Sequence, residues 1–260
     1  MDIAFIRHDT TTYWARGIQS ATRAPMTPVT QLIQGIYSLA ANEKQTLDDV
    51  RGILRKRIAV NYEPTPLCRA MVRVAAKRIS SPEEFSLRDL EDAARCAGTR
   101  LLEVAPEVGA SRENHFDLAS ERDLAPFRDD AEAMRAALKI AANVSINEKK
   151  YLSPRPIAAI LTDVNGVPLG AAVNSNGFDK TAHAEVNLIQ DFFRRTGRGL
   201  PEGAKIFATL KPCRMCSAMI LHASEDPTAE KPARVSVFFA EEDPGRFARH
   251  TSIEGVRLTV

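Results

Sequence analysis

The chain has 260 residues, enough to bury one large core or two smaller ones. With 44% apolar and 26% charged residues it has the composition of a globular protein, which excludes a disordered polyelectrolyte, and no run of 18 apolar residues is present to span a membrane. Lys and Arg number 35 against 33 Asp and Glu, so the net charge is only +2 and bulk charge does not announce a nucleic-acid binder. The first seven residues have no basic stretch leading into an apolar one, and a cytoplasmic location is expected. Four cysteines are too few for a disulfide scaffold. Two of them, Cys213 and Cys216, are three apart, a spacing that in a reducing compartment points to metal or redox chemistry.

In chain order, residues 1–127 read as a mostly helical N-terminal unit. The apolar start Ile3-Ala4-Phe5-Ile6 is a candidate strand, and residues 10–30 are polar and rich in Thr and Pro. A helix is predicted over residues 29–41, with Leu32, Ile33, Ile36 and Leu39 on one face. Thr46, followed by Asp48 and Asp49, is an N-cap with acidic residues in the first turn, for a helix reaching about Ile58. Another helix starts near Thr65-Pro66 and carries Leu67, Met71 and Val74. A further one starts near Ser86 and carries Leu87, Leu90, Ala94 and Leu101. Residues 105–127 are irregular and read as a linker.

A second unit, residues 128–260, alternates helices and strands. A helix is predicted over 129–144, then strands over 157–162 and 167–174, joined through Asn165-Gly166, a strong hairpin signal. Pro168 within the second strand demotes that strand to a sheet edge. There follow a helix over 182–195, a strand over 204–210, a helix over 213–222, and strands over 234–240 and 255–260. This order predicts an α/β sandwich, with helices covering a mixed sheet.

The chemistry concentrates in two short segments. His183-Ala184-Glu185 opens one predicted helix, and Pro212-Cys213-Arg214-Met215-Cys216 opens the next. Zinc takes imidazole nitrogen and thiolate sulfur, and a catalytic site keeps its fourth position for water. His183, Cys213 and Cys216 are therefore the candidate ligands of one Zn2+. Cysteines three apart on a helix lie about one turn apart on the same side, and a helix N-terminus favours the thiolate form. Glu185, two residues past the ligand, is the candidate proton carrier between water, ring nitrogen and departing amine. A zinc ion so held brings the pKa of water toward roughly 7.

The pairing of H-x-E with P-C-x-x-C is the described signature of zinc base deaminases. Thr181-Ala182-His183-Ala184-Glu185 and Thr209-Leu210-Lys211-Pro212-Cys213-Arg214-Met215-Cys216 resemble the active-site motifs of the cytidine deaminase-like superfamily, nearest to the tRNA adenosine deaminase and guanine deaminase branches. The resemblance covers residues 129–260, half of the chain. It implies a three-layer α/β/α sandwich on a mixed five-stranded sheet of order 2-1-3-4-5. It also implies Asn174, with Asn176 as runner-up, as a substrate contact, joined by Ala184 and Phe247. Three features depart from those branches: Lys211 stands where Glu is frequent, the loop from 174 to 183 is short, and residues 224–232 look inserted. All three bear on substrate identity rather than on the metal. The preceding half has no motif match. Its presence resembles a bacterial branch with a distinct N-terminal domain, proposed to edit RNA.

Alternatives stand beside these readings. A lone C-x-x-C also serves as a redox pair or as half of a structural zinc site, for which Cys68 and Cys96 are the other cysteines. His8, His115, His222 and His250 have no assigned role. Residues 51–78 hold Arg51, Arg55, Lys56, Arg57, Arg69, Arg73, Lys77 and Arg78 against Glu63 alone. Arg69, Arg73 and Lys77 recur every four residues and read either as a phosphate-tracking stripe or as a solvated helix face. Arg246, Phe247 and Arg249 read either as a base-stacking and phosphate contact or as a surface turn. Three functions follow: a deaminase of bases in RNA, a deaminase of a free base, nucleoside or nucleotide, and a non-catalytic zinc-stabilised binding protein. A homodimer is a further expectation.

Overall fold

The structure, a computed structural model, describes residues 1–17, 24–80, 84–106, 125–143, 155–225 and 233–260. His115, most of the expected linker and most of the expected insertion after residue 224 lie outside the described residues. The chain divides into two compact units. No described helix is long and apolar enough to cross a membrane.

The first unit is built on a hairpin of β1 (Asp2–His8) and β2 (Thr11–Gly17). After it come α1 (Pro28–Asn42), α2 (Leu47–Leu54), β3 (Arg57–Val60), α3 (Pro66–Ala75), β4 (Arg78–Ile79), α4 (Leu87–Cys96) and β5 (Arg100–Glu103). The strands form one five-stranded sheet of order β4-β3-β1-β2-β5. The unit is thus not clearly the mostly helical one that the sequence suggested: among the described residues four helices accompany a five-stranded sheet. Ile58 lies in β3 rather than at the end of α2, and Leu101 lies in β5 rather than on α4. The added strands are two to seven residues long, too short for a period-2 pattern to separate itself from a helical one. β2 also hides its buried Trp14 among threonines.

Four helix starts in this unit carry side-chain caps, Thr46 among them as expected. Thr27, Thr46, Thr65 and Ser86 each accept a hydrogen bond from the backbone N–H three residues on. Thr46 and Ser86 complete reciprocal boxes with Asp49 and Asp89. Arg69 and Arg73 are exposed on α3, Arg69 paired with Glu63, whereas Lys77 lies past the end of the helix.

The second unit begins with α5 (Asp130–Ala142), capped by Asp129. Its strands are β6 (Ala158–Thr162), β7 (Pro168–Val173), β8 (Lys205–Leu210), β9 (Ser236–Glu241) and β10 (Val256–Arg257). α6 (Ala184–Thr196) lies between β7 and β8, and α7 (Arg214–Ser224) between β8 and β9. The sheet order is β10-β9-β8-β6-β7. Counted within the unit this is 2-1-3-4-5, and β7 with its Pro168 is the edge strand, as expected. β6 runs antiparallel to both β7 and β8, while β8, β9 and β10 are mutually parallel.

Alternation along β7 shows the layering. Ala171 joins Ile160 and Phe207 under Ala133, Met134 and Ala137 of α5. The neighbouring Gly170 faces the other way, where a Cβ would stand 3.2 Å from Leu188 of α6. Helices therefore cover both faces of the sheet. The start of β6 and the ends of β7, β8 and β9 fall at one edge of it, because β6 alone is reversed.

Candidate active site

That edge carries the site. Asn174 directly follows β7 and Lys211 directly follows β8, β9 leads to Asp243, and Arg155 and Ile157 precede β6. All of them line one pocket of about 210 Å³, together with Asn176, His183, Ala184, Glu185, Cys213 and Gly245.

His183 and Cys213 occupy the N-cap positions of α6 and α7. Neither side chain caps its helix, in contrast to Thr27, Thr46, Thr65, Ser86 and Asp129, which all cap theirs. The two side chains turn toward each other instead. His183 Nδ1 is 3.6 Å from Cys213 Sγ and 3.5 Å from Cys216 Sγ, and the two sulfurs are 3.5 Å apart. Ligands of a tetrahedral zinc, with Zn–S near 2.3 Å and Zn–N near 2.0–2.1 Å, are separated by roughly 3.5–3.8 Å. The triangle therefore fits a zinc ion in size as well as in donor type.

Glu185 lies one residue into α6 past Ala184, buried, with Oε2 3.3 Å from Cys216 Sγ. Burial, reinforced by the neighbouring Cys213 charge, raises its carboxyl up to about 6. At His183 burial works downward but is outweighed by Cys213, which pushes the imidazole up to about 9. Cys213 is held well below the ordinary thiol range by its hydrogen bond with Cys216 and by His183, and burial pushes Cys216 well above it. A dication held by His183, Cys213 and Cys216 would favour the thiolate form of both sulfurs.

The approach to His183 is shaped by a buried turn. Asp179 Oδ1 accepts from Thr181 N at 2.8 Å and from Thr181 Oγ1 at 2.7 Å. Burial raises the Asp179 carboxyl to about 6. On the pocket wall, Asn174 Nδ2 donates to Asn176 Oδ1 at 3.1 Å, with Arg155 O at 3.5 Å, while Asn174 Oδ1 is buried without a hydrogen-bond partner. A buried acceptor left bare costs about 1–3 kcal/mol, which a ligand donor at that point recovers.

At the mouth, Arg155 donates to Asp243 at 2.9 Å and Lys211 to Glu242 at 3.0 Å. Asp243 also accepts from Gly245 N at 2.9 Å, which fixes the turn.

Of the residues expected from sequence, His183, Glu185, Cys213, Ala184 and Asn174 line this pocket and Cys216 completes the triangle. Phe247 does not line it. It is half-buried under the Arg246 guanidinium, 4.7 Å from the ring centre. Arg69, Arg73 and Lys77 belong to the first unit. Arg155, Ile157, Leu210, Asp243 and Gly245 were not foreseen. Arg155 carries no sequence signal, since only the reversal of β6 brings it to this edge.

Residues 148–258 match the family model described as Bd3614-like deaminase. The matched segment spans all five strands of the second unit and is similar to a deaminase domain. Similar solved structures include a tRNA:A34 deaminase that carries out A-to-I editing at the wobble position of transfer RNA. It is 23% identical, with a TM-score of 0.32, over 49% of this chain and 85% of that one. The guanine deaminase of Bacillus subtilis is 23% identical, with a TM-score of 0.35, over 44% of this chain and 65% of that one. The dCMP deaminase of cyanophage S-TIM5 is 19% identical, with a TM-score of 0.35, over 49% of this chain and 95% of that one. No curated protein sequence matches the chain.

Proposed function

We propose that the protein is a zinc-dependent hydrolytic deaminase of a nucleobase, with His183, Cys213 and Cys216 as metal ligands and Glu185 as the proton carrier. The observation that carries this reading is a convergence in one pocket: a ligand triangle of zinc dimensions, a buried carboxyl beside it and the bare acceptor of Asn174. When bound, zinc supplies the Lewis-acid activation of the attacking water. Glu185 takes the water's proton, passes it to the ring nitrogen and then serves the leaving amine, which departs as ammonia. Asn174 Oδ1 receives a donor group of the substrate and holds the ring against the pocket wall. Ala184, on the floor of the pocket, keeps its backbone close to the ring. A non-catalytic zinc protein has no use for a carboxyl buried beside its ligands, and Glu185 speaks against that reading.

For the form of the substrate, a base carried in RNA is the first proposal. It is supported by exposed Arg69 and Arg73 on α3 and by exposed Arg246 and Arg249 next to the pocket-lining Gly245. A free base or nucleoside is the second, favoured by one observation: the two cations at the mouth, Arg155 and Lys211, are already neutralised by Asp243 and Glu242.

One experiment tests both. The protein and its Glu185→Gln variant are incubated with total RNA and, separately, with bases, nucleosides and nucleotides, and the products are scored by mass spectrometry. A deaminated product in RNA that requires Glu185 supports the first reading. One confined to the small molecules supports the second. Turnover that survives Glu185→Gln defeats the mechanism.

A further inference from the structure

Asn187 is buried on α6, one turn beyond His183, whose carbonyl accepts its backbone N–H at 2.9 Å. Its side chain does not line the pocket. Nδ2 instead donates to Val173 O at 2.9 Å and Ser175 Oγ at 3.0 Å, with Ala182 O at 3.3 Å. Two of these three partners are backbone carbonyls, which only accept, so the amide has one satisfied orientation. Val173 and Ser175 flank Asn174, and Ala182 precedes His183. Ser175 N also donates to Ala182 O, at 2.9 Å. A single buried amide therefore ties the strand end that presents the substrate acceptor to the turn that presents the imidazole.

We propose that Asn187 is a positioning residue of the reaction: it sets the interval between Asn174 Oδ1 and the metal triangle without touching substrate or metal. A misplacement of about 1 Å at such a site costs on the order of 100-fold in rate. In this four-atom junction Ser175 Oγ is the other side-chain atom, and the bond from Ser175 N to Ala182 O is the backbone tie beside it. Removing the amide takes a donor from the carbonyls of Val173 and Ala182 and leaves the Ser175–Ala182 backbone bond to join the two walls, with more play between them. The kinetic part of the proposal rests on the deaminase reading; the metal part stands without it.

The test is a double-mutant cycle in the full-length protein, with cobalt as a spectroscopic substitute for zinc. Asn187→Ala is expected to lower kcat/KM about tenfold when Asn174 is present and less than twofold in an Asn174→Ala background, because the two act as one unit. Cobalt bound to Asn187→Ala is expected at one per chain, with its visible bands displaced from those of the parent, since the His183 turn has lost its tether. Ser175→Ala, which removes one of the three acceptors, is the milder variant if Asn187→Ala does not fold, with both effects in the same direction. A loss of activity that carries over in full to the Asn174→Ala background, or an unmoved cobalt spectrum, overturns the proposal. If the parent turns over no nucleobase substrate, the deaminase reading is what fails, and the cobalt spectrum alone then judges Asn187.

Discussion

The smallest unit of the chemistry is the carboxyl of Glu185, whose burial works against its charge. Burial and the neighbouring Cys213 charge raise it to about 6, and a dication held in the neighbouring triangle would pull it back down. The proton-accepting form is the ionised one, so it is present above the pKa and is lost as pH falls through it. The acid limb of kcat/KM is therefore expected at or below about pH 6, and a limb near pH 8 would place the acceptor elsewhere. Glu185→Gln keeps the size and removes the proton chemistry, so turnover is expected to fall by about 10²–10⁴-fold. Its zinc content, read by atomic absorption, should stay at the parent level. Asn174 makes the complementary case. Its bare Oδ1 is a cost in the free protein, so Asn174→Ala should raise KM with little loss of folding stability. A large drop in melting temperature instead would assign that oxygen a structural role.

Helix starts show where folding and function compete. Five described helices are capped by Thr, Ser or Asp side chains, and the two that face the site give their N-cap positions to His183 and Cys213, the proposed metal ligands. A missing side-chain cap costs about 1 kcal/mol. Cys213→Ser restores a strong N-cap residue at nearly the same size. The variant should lose the metal, yet the metal-free variant should unfold in urea at the same concentration as the metal-free parent or a higher one. A clear fall would show that the thiol itself packs the apo site. The β6–β7 hairpin is the other informative element. Gly166 takes φ of +81°, and a Cβ there would meet the Phe127 carbonyl at 2.8 Å. Gly166→Ala is expected to destabilise the second unit by about 1–3 kcal/mol, readable as a shifted unfolding midpoint.

At the scale of the whole chain, charge decides what the first unit can do. A net charge of +2 gives no long-range pull on RNA, so binding would have to come from local patches. If Arg69 and Arg73 meet phosphates, RNA binding should weaken steeply with salt. Replacing both with Ala should then flatten the log–log slope by about 1.4–1.8. An unchanged slope would return them to a solvated helix face, where Arg69 already has Glu63. Stripping the metal with a chelator should lower the melting temperature of the unit that holds the triangle, because zinc bound only to the folded form adds its binding energy to folding.

The motif segments, the order of elements in the second unit, the hairpin and the edge position of the Pro168 strand were all legible in the sequence. Each rests on local chemistry: ligand type and spacing, a glycine free to take positive φ, a residue without an N–H. The same is true of the helix starts at Thr46, Thr65 and Ser86, where the capping side chain and its partner are three residues apart. Tertiary structure alone decided the sheet of the first unit. Its shorter strands pair across 21 to 89 residues and hold too few side chains to show a period. It alone brought Arg155 and Asp243 to the mouth of the pocket, through the reversal of β6. It also withheld Phe247 from the pocket lining and Lys77 from the helix face, since a spacing in sequence becomes a shared surface only where the element continues that far.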